Sequence, residues 1–160
     1  MVYSVDVGHD QLADSLRSDD RVVNMEGTDI RYVTADDIGG RVDFICADVS
    51  FISLKLILPK VYELLSDDSE AALLIKPQFE AGKSDIGKRG VVKDKRVHIR
   101  VLSEIDTFAQ ELGFVTEAYS FSPVKGGCGN IESLVHLVKR PGANKIHDLK
   151  GLVESAFRQL

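Results

Sequence analysis

The chain reads as an α/β fold: a mostly parallel sheet, helices between its strands, and an antiparallel hairpin at the end. Three observations predict it. Short apolar runs alternate with stretches of helical spacing along most of the 160 residues, the pattern of a parallel sheet covered on both faces with right-handed crossovers. Several of those runs end in a charged residue, Asp6, Asp48 and Lys76, at the rim where such sheets bind their ligands. The last two runs are joined by a Pro/Gly loop instead of a helix, which suits antiparallel neighbours.

Taken in order, residues 2–5 form a short strand ending at Asp6-Val7-Gly8. Asp10 is placed to cap a helix through Arg17, with Leu12 and Leu16 on one face. Residues 21–25 form the second strand, and residues 32–35 are turn or strand. The third strand, Val42 to Ala47, is almost wholly apolar, as a strand covered on both faces is; Cys46 within it reads as a small core residue. Leu54, Ile57, Leu58, Val61 and Leu65 have helical spacing, with a kink expected at Pro59. Residues 71–75 are a fourth buried strand leading to Lys76-Pro77, and residues 78–93 form a long polar loop. Val97, Val101, Ile105 and Phe108 mark one face of a helix over 94–112, stopped by Gly113. Strands over 114–121 and 130–138 follow, then a linker at 141–145. The terminal helix carries Ile146, Leu149, Val153, Phe157 and Leu160 on one stripe, to pack on its own domain or in a homodimer.

The length suits one domain that folds without disulfides or metal. Cys46 and Cys128 are far apart and match no metal spacing, and the four histidines show none either, so no metal site is expected. A reduced, cytoplasmic setting follows from the cysteine usage and from a start with no signal-peptide character. No apolar run approaches the ~20 residues that span a bilayer, so no membrane partner is expected. The net charge of −5 is unlike a free-standing nucleic-acid binder, and RNA affinity has to come from a local patch. Such a patch exists in the long loop, where Lys83, Lys88 and Arg89 stand with Lys93, Lys95 and Arg96; they are candidates to steer RNA phosphates. The same stretch, Gly82 to Arg89, nearly spells a nucleotide-phosphate loop, but Arg89 stands where Ser or Thr would hold magnesium.

Four strings carry the chemistry: Val5-Asp6-Val7-Gly8 with Gln11-Leu12; Ala47 to Leu54, reading ADVSFISL; Ile75 to Gly82, reading IKPQFEAG; and Gly129-Asn130-Ile131-Glu132. On them the chain closely resembles the TlyA hemolysin/rRNA methyltransferase family, part of the FtsJ-like group, over residues 2–140. The resemblance implies a Rossmann-like class I methyltransferase fold, with residues 1–140 as the methyltransferase domain and 141–160 as linker and amphipathic helix. It implies an S-adenosylmethionine-dependent 2′-O-methyltransferase acting on the ribose of RNA, with ribosomal RNA or ribosomal subunits as partner. Asp48, Lys76 and Glu132 match three members of the group's Lys-Asp-Lys-Glu tetrad, and a buried Lys76 would accept or steer the hydroxyl proton while the carboxylates hold register. Asp6 matches the acid that accepts hydrogen bonds from the adenosyl ribose, Asp29 resembles the residue beside the adenine, and Asp48 borders both sites. The group's first strand, its glycine-rich motif and its first tetrad lysine fall before Val2, as does a small RNA-binding domain. On that ground the chain alone is expected to be inactive. The competing readings are a membrane-permeabilising hemolysin and a catalytically silent RNA-binding remnant.

Overall fold

The computed structural model describes residues 1–160 as two compact units, 1–41 and 42–160. In the first, strand β1 (Val2–Asp6) pairs in parallel with β2 (Val22–Glu26), from Val2 opposite Val22 to Asp6 opposite Glu26. The connecting helix α1 is only Asp14–Arg17 and has no side-chain cap. The cap expected from Asp10 does not form. Asp10 is in the left-handed region at φ 57, and the amides of Gln11 and Leu12 donate to the Glu26 carboxylate at 2.6 and 2.9 Å. The loop is therefore tied to β2 instead of starting a helix. Asn24 and those amides hold the Glu26 carboxyl down at about 2. Residues after β2 form short 3-10 turns, Ile30–Tyr32 and Asp36–Ile38, so the ambiguous stretch 32–35 is turn.

In the second unit β3 (Val42–Ala47) leads through a 3-10 turn (Leu54–Leu56) into α2 (Leu58–Leu64), and β4 (Leu65–Ile75) into α3 (Pro77–Glu80). After the turn Lys83–Asp85 come α4 (Lys95–Glu111), β5 (Val115–Phe121), β6 (Ser133–Lys139) and α5 (Leu149–Gln159). The strand order is β3-β4-β6-β5, parallel at β3-β4 and antiparallel at β4-β6 and β6-β5. The expected final hairpin is thus present, with β6 inserted beside β4.

Pro59 does not kink a helix; it sits in the first turn of α2, where its missing N–H has no partner to lose. Asp94 caps α4 by accepting from the Arg96 amide, and Gly113, at φ +101, ends it. Alternate β4 residues Ala71, Leu73 and Ile75 are buried under the helices, with Leu58, Val61 and Ile105 at 1 % exposure or less. Val153 and Ala156 bury α5 against α4 and β5, so the terminal helix packs on its own unit. One expectation is corrected at β3. It is the outer strand, and both Phe44, 55 % exposed, and Cys46 face solvent.

Candidate active site

The parallel register of β3 and β4 sets Ala47 opposite Leu73, so the chain leaves both strands at the same edge. Asp48 comes immediately after β3 and Lys76 immediately after β4. The Lys76 Nζ lies 2.7 Å from the Asp48 carboxylate and donates to Ser50 Oγ at 2.9 Å. The lysine side chain is 14 % exposed and the aspartate 67 %, so the pair is open on the carboxylate side. An ammonium has three donors; with two committed, one direction remains for a substrate oxygen.

Two of the strings singled out in the sequence are fastened to each other beyond this pair. Glu80 accepts from Ser53 Oγ at 2.6 Å and from the Leu54 amide at 2.7 Å, which caps the turn leading into α2. The Phe51 and Phe79 rings lie 5.1 Å apart. Phe51 is 91 % exposed and holds φ 64, a strained backbone for a bulky residue, of the kind that clusters at active sites and ligand clamps.

Glu132 lies just before β6 and is 6 % exposed. Its carboxylate makes no ion pair within 4 Å. It accepts instead from Gln78 Nε2 at 3.1 Å, two residues beyond Lys76. Gly126 faces the same carboxylate: a Cβ there would stand 2.4 Å from Glu132 Oε1. The glycine-rich loop thus allows close backbone approach to an acid. The Gln78 Oε1 is buried without a partner.

The structure therefore brings Asp48 and Lys76 into contact and links Glu132 to the Lys76 segment through Gln78. Asp6 and Asp29 belong to the first unit. Asp6 is exposed at the end of β1, and its Oδ1 accepts from the Gly8 amide at 2.7 Å. Asp29 caps the turn Ile30–Tyr32, with both oxygens on Arg31; the Arg31 contacts hold its carboxyl below the usual range. Lys83, Lys88 and Arg89 are exposed and make no ion pair within 4 Å. Ser50 and Gln78 were not predicted. Each stands two residues after a predicted site residue, and that shared spacing was the available signal.

Comparison with known proteins identifies the family. The model of the FtsJ-like methyltransferase family matches residues 1–139. YqxC of Bacillus subtilis is 52% identical over 136 residues, covering 84% of this chain and 48% of its own. The 16S/23S rRNA (cytidine-2′-O)-methyltransferase TlyA of Mycobacterium tuberculosis is 42% identical over 159 residues, covering 99% of this chain and 59% of its own. A solved Streptococcus thermophilus structure described under the name hemolysin superposes with a TM-score of 0.95 at 43% identity, over 99% of this chain and 58% of that one. The chain spans about half the length of the relatives it matches.

Proposed function

The chain belongs to the FtsJ-like methyltransferase family, and from that premise we propose that it carries the transfer half of an S-adenosylmethionine-dependent methyltransferase acting on a ribose 2′-hydroxyl of ribosomal RNA. The observation that carries this reading is the Lys76–Asp48 pair at the carboxyl ends of parallel strands, with one lysine donor direction and one carboxylate oxygen unspent. A ribose hydroxyl is a poor nucleophile until it is held in line and its proton is drawn away. The free Asp48 oxygen accepts the hydroxyl's hydrogen bond and takes its proton. The remaining Lys76 donor meets the charge that develops on the ribose oxygen, while Ser50 keeps the ammonium from turning away. Glu132, held by Gln78 and closely approached by the Gly126 backbone, is proposed as the third group of the site.

S-adenosylmethionine supplies an electrophilic methyl group when bound. The residues present fit it in one respect: Asp6 spends one carboxylate oxygen on Gly8 and leaves the other exposed for a ribose diol. Asp29 is a weaker fit, because Arg31 occupies it, and a role there requires that ion pair to open. Lys83, Lys88 and Arg89 are proposed phosphate contacts. With a ribosomal substrate, a cytoplasmic location is proposed as well. No helix is long and apolar enough to cross a membrane.

The test is calorimetric titration of S-adenosylhomocysteine, followed by methyl transfer to ribosomal RNA mapped to the ribose oxygen. Asp6→Ala is expected to weaken binding about tenfold or more, the loss of one charged hydrogen bond. Lys76→Met is expected to lower transfer by about 10²-fold or more with the cofactor still bound. Transfer is measured both in these 160 residues and in an N-terminally extended chain. Full transfer by Lys76→Met overturns the assignment, and RNA binding without transfer in either chain favours the silent remnant.

A further inference from the structure

The loop between α3 and α4 carries a built turn at its basic end. The Gly87 amide donates to Val91 O at 3.0 Å and the Gly90 amide to Gly87 O at 2.8 Å. Lys88 and Arg89 occupy the two central positions of that turn, and Gly90 takes the φ of +74 that closes it. Val92, two residues after it, is 2 % exposed, and both of its backbone groups are held by side chains. Its N–H donates to Asn130 Oδ1 at 2.9 Å, and its carbonyl accepts from His98 Nε2 at 2.9 Å. The Asn130 amide nitrogen then donates to Gly90 O at 2.9 Å.

Asn130 is 1 % exposed and lies two residues before Glu132. An amide is the side chain that offers a donor and an acceptor at once; aspartate has no proton for Gly90, and an apolar side chain orphans the buried Val92 N–H and leaves the half-buried Gly90 carbonyl without its partner. The cations at the tip are unpaired, whereas Arg96 and Arg100 in the following helix are paired with Asp94 and Asp85. A basic turn that is already ordered binds a polyanion without the ordering cost a slack loop has to meet.

We propose that Asn130 is a positioning residue that presents Lys88 and Arg89 as a pre-formed phosphate-contacting tip for the backbone of the RNA, in fixed register with Glu132. This rests on the RNA reading above, and deepens it by making the contact a rigid part of the site.

The experiment uses the 160-residue chain, a labelled unstructured uridine-rich RNA oligonucleotide, and binding measured over a range of salt concentrations. Hydrogen exchange of the Val92 amide reports the clasp itself. Asn130→Leu removes the clasp from the hairpin side without adding charge, and His98→Phe loosens it from α4, so that a folding failure of one leaves the other. Each folded variant is expected to expose the Val92 amide to exchange and to weaken RNA about tenfold, the backbone freedom of roughly one residue. A folded variant that releases Val92 and still binds RNA as tightly as the parent overturns the proposal. So does a Lys88→Ala/Arg89→Ala chain with unaltered affinity and salt slope. Neither result touches the ribose-methylation reading, which fails separately if Lys76→Met retains full transfer.

Discussion

At the scale of single residues, the site is built from close approaches that tolerate little change. Gly126 is the sharpest case. With a Cβ placed 2.4 Å from Glu132 Oε1, Gly126→Ala forces either the loop or the carboxylate to move, and overpacking of this kind costs about 1–3 kcal/mol. Chemical denaturation should show that loss, and methyl transfer should fall with it while cofactor affinity holds. His98 makes a second prediction, from its protonation. Burial pushes its pKa below the ordinary 6.5, with the Val92 carbonyl and Asp94 opposing. The neutral ring is the native form, so the unfolded chain binds more protons just below 6.5 and stability falls as pH drops through that value towards the lower folded pKa. Denaturation midpoints at successive pH values should fall more steeply in the parent than in His98→Gln; parallel slopes would refute it. Asp48 and Lys76 stood out in the sequence as charged residues at the ends of strand-like runs, whereas Glu132, inside the run read as the last strand, was singled out only by the resemblance. Their partners were not legible. That Gln78, and no lysine, holds Glu132 depends on how β6 inserts beside β4, a long-range pairing that no local spacing encodes.

At the scale of elements, α4 was legible from its period, since it buries Val97, Val101 and Ile105 along one stripe. α5 was legible only in part: it begins at Leu149, buries Val153 and Ala156 and leaves Ile146 exposed. β4 begins at Leu65, a residue whose spacing reads as helix. The failures occurred where a tertiary partner competes with local preference. Asp10 reads as a helix cap, but Glu26, fifteen residues further along from Gln11, takes the amides that a helix start would leave free. β3 reads as a strand covered on both faces, yet as the outer strand it leaves Phe44 and Cys46 in solvent. Pro59 reads as a kink because the apolar spacing runs straight through it. The helix instead begins at Leu58, and this difference has a sign that can be measured. A proline in the first turn restricts the unfolded chain at no native cost, so Pro59→Ala is expected to destabilise by about 0.4–1 kcal/mol. Were Pro59 straining an α2 interior, the same substitution would stabilise instead.

At the scale of the whole molecule, the distribution of buried apolar side chains decides which part is firm. Val33 and Ile38 are the buried apolar residues of the first unit, and all the others belong to residues 42–160. A two-stranded parallel pair with so little buried surface is marginal by itself, whereas β4 has a paired strand on either side and buried residues along its length. Native-state hydrogen exchange should therefore be slowest in β4 and β6 and fast in β1 and β2, because local opening follows the burial that resists it. The proposed cofactor residue Asp6 stands at the end of one of those weak strands. A ligand that binds only the ordered form stabilises it in proportion to the logarithm of its saturation, about 2.7 kcal/mol at a hundred times its dissociation constant. Saturating S-adenosylhomocysteine is thus expected to slow exchange in β1 and in the turn around Gly8 by up to about a hundredfold, and to do so far less in Asp6→Ala. Protection confined to residues 42–160 would place the cofactor away from Asp6, and equal protection in Asp6→Ala would leave that carboxylate without the role assigned to it.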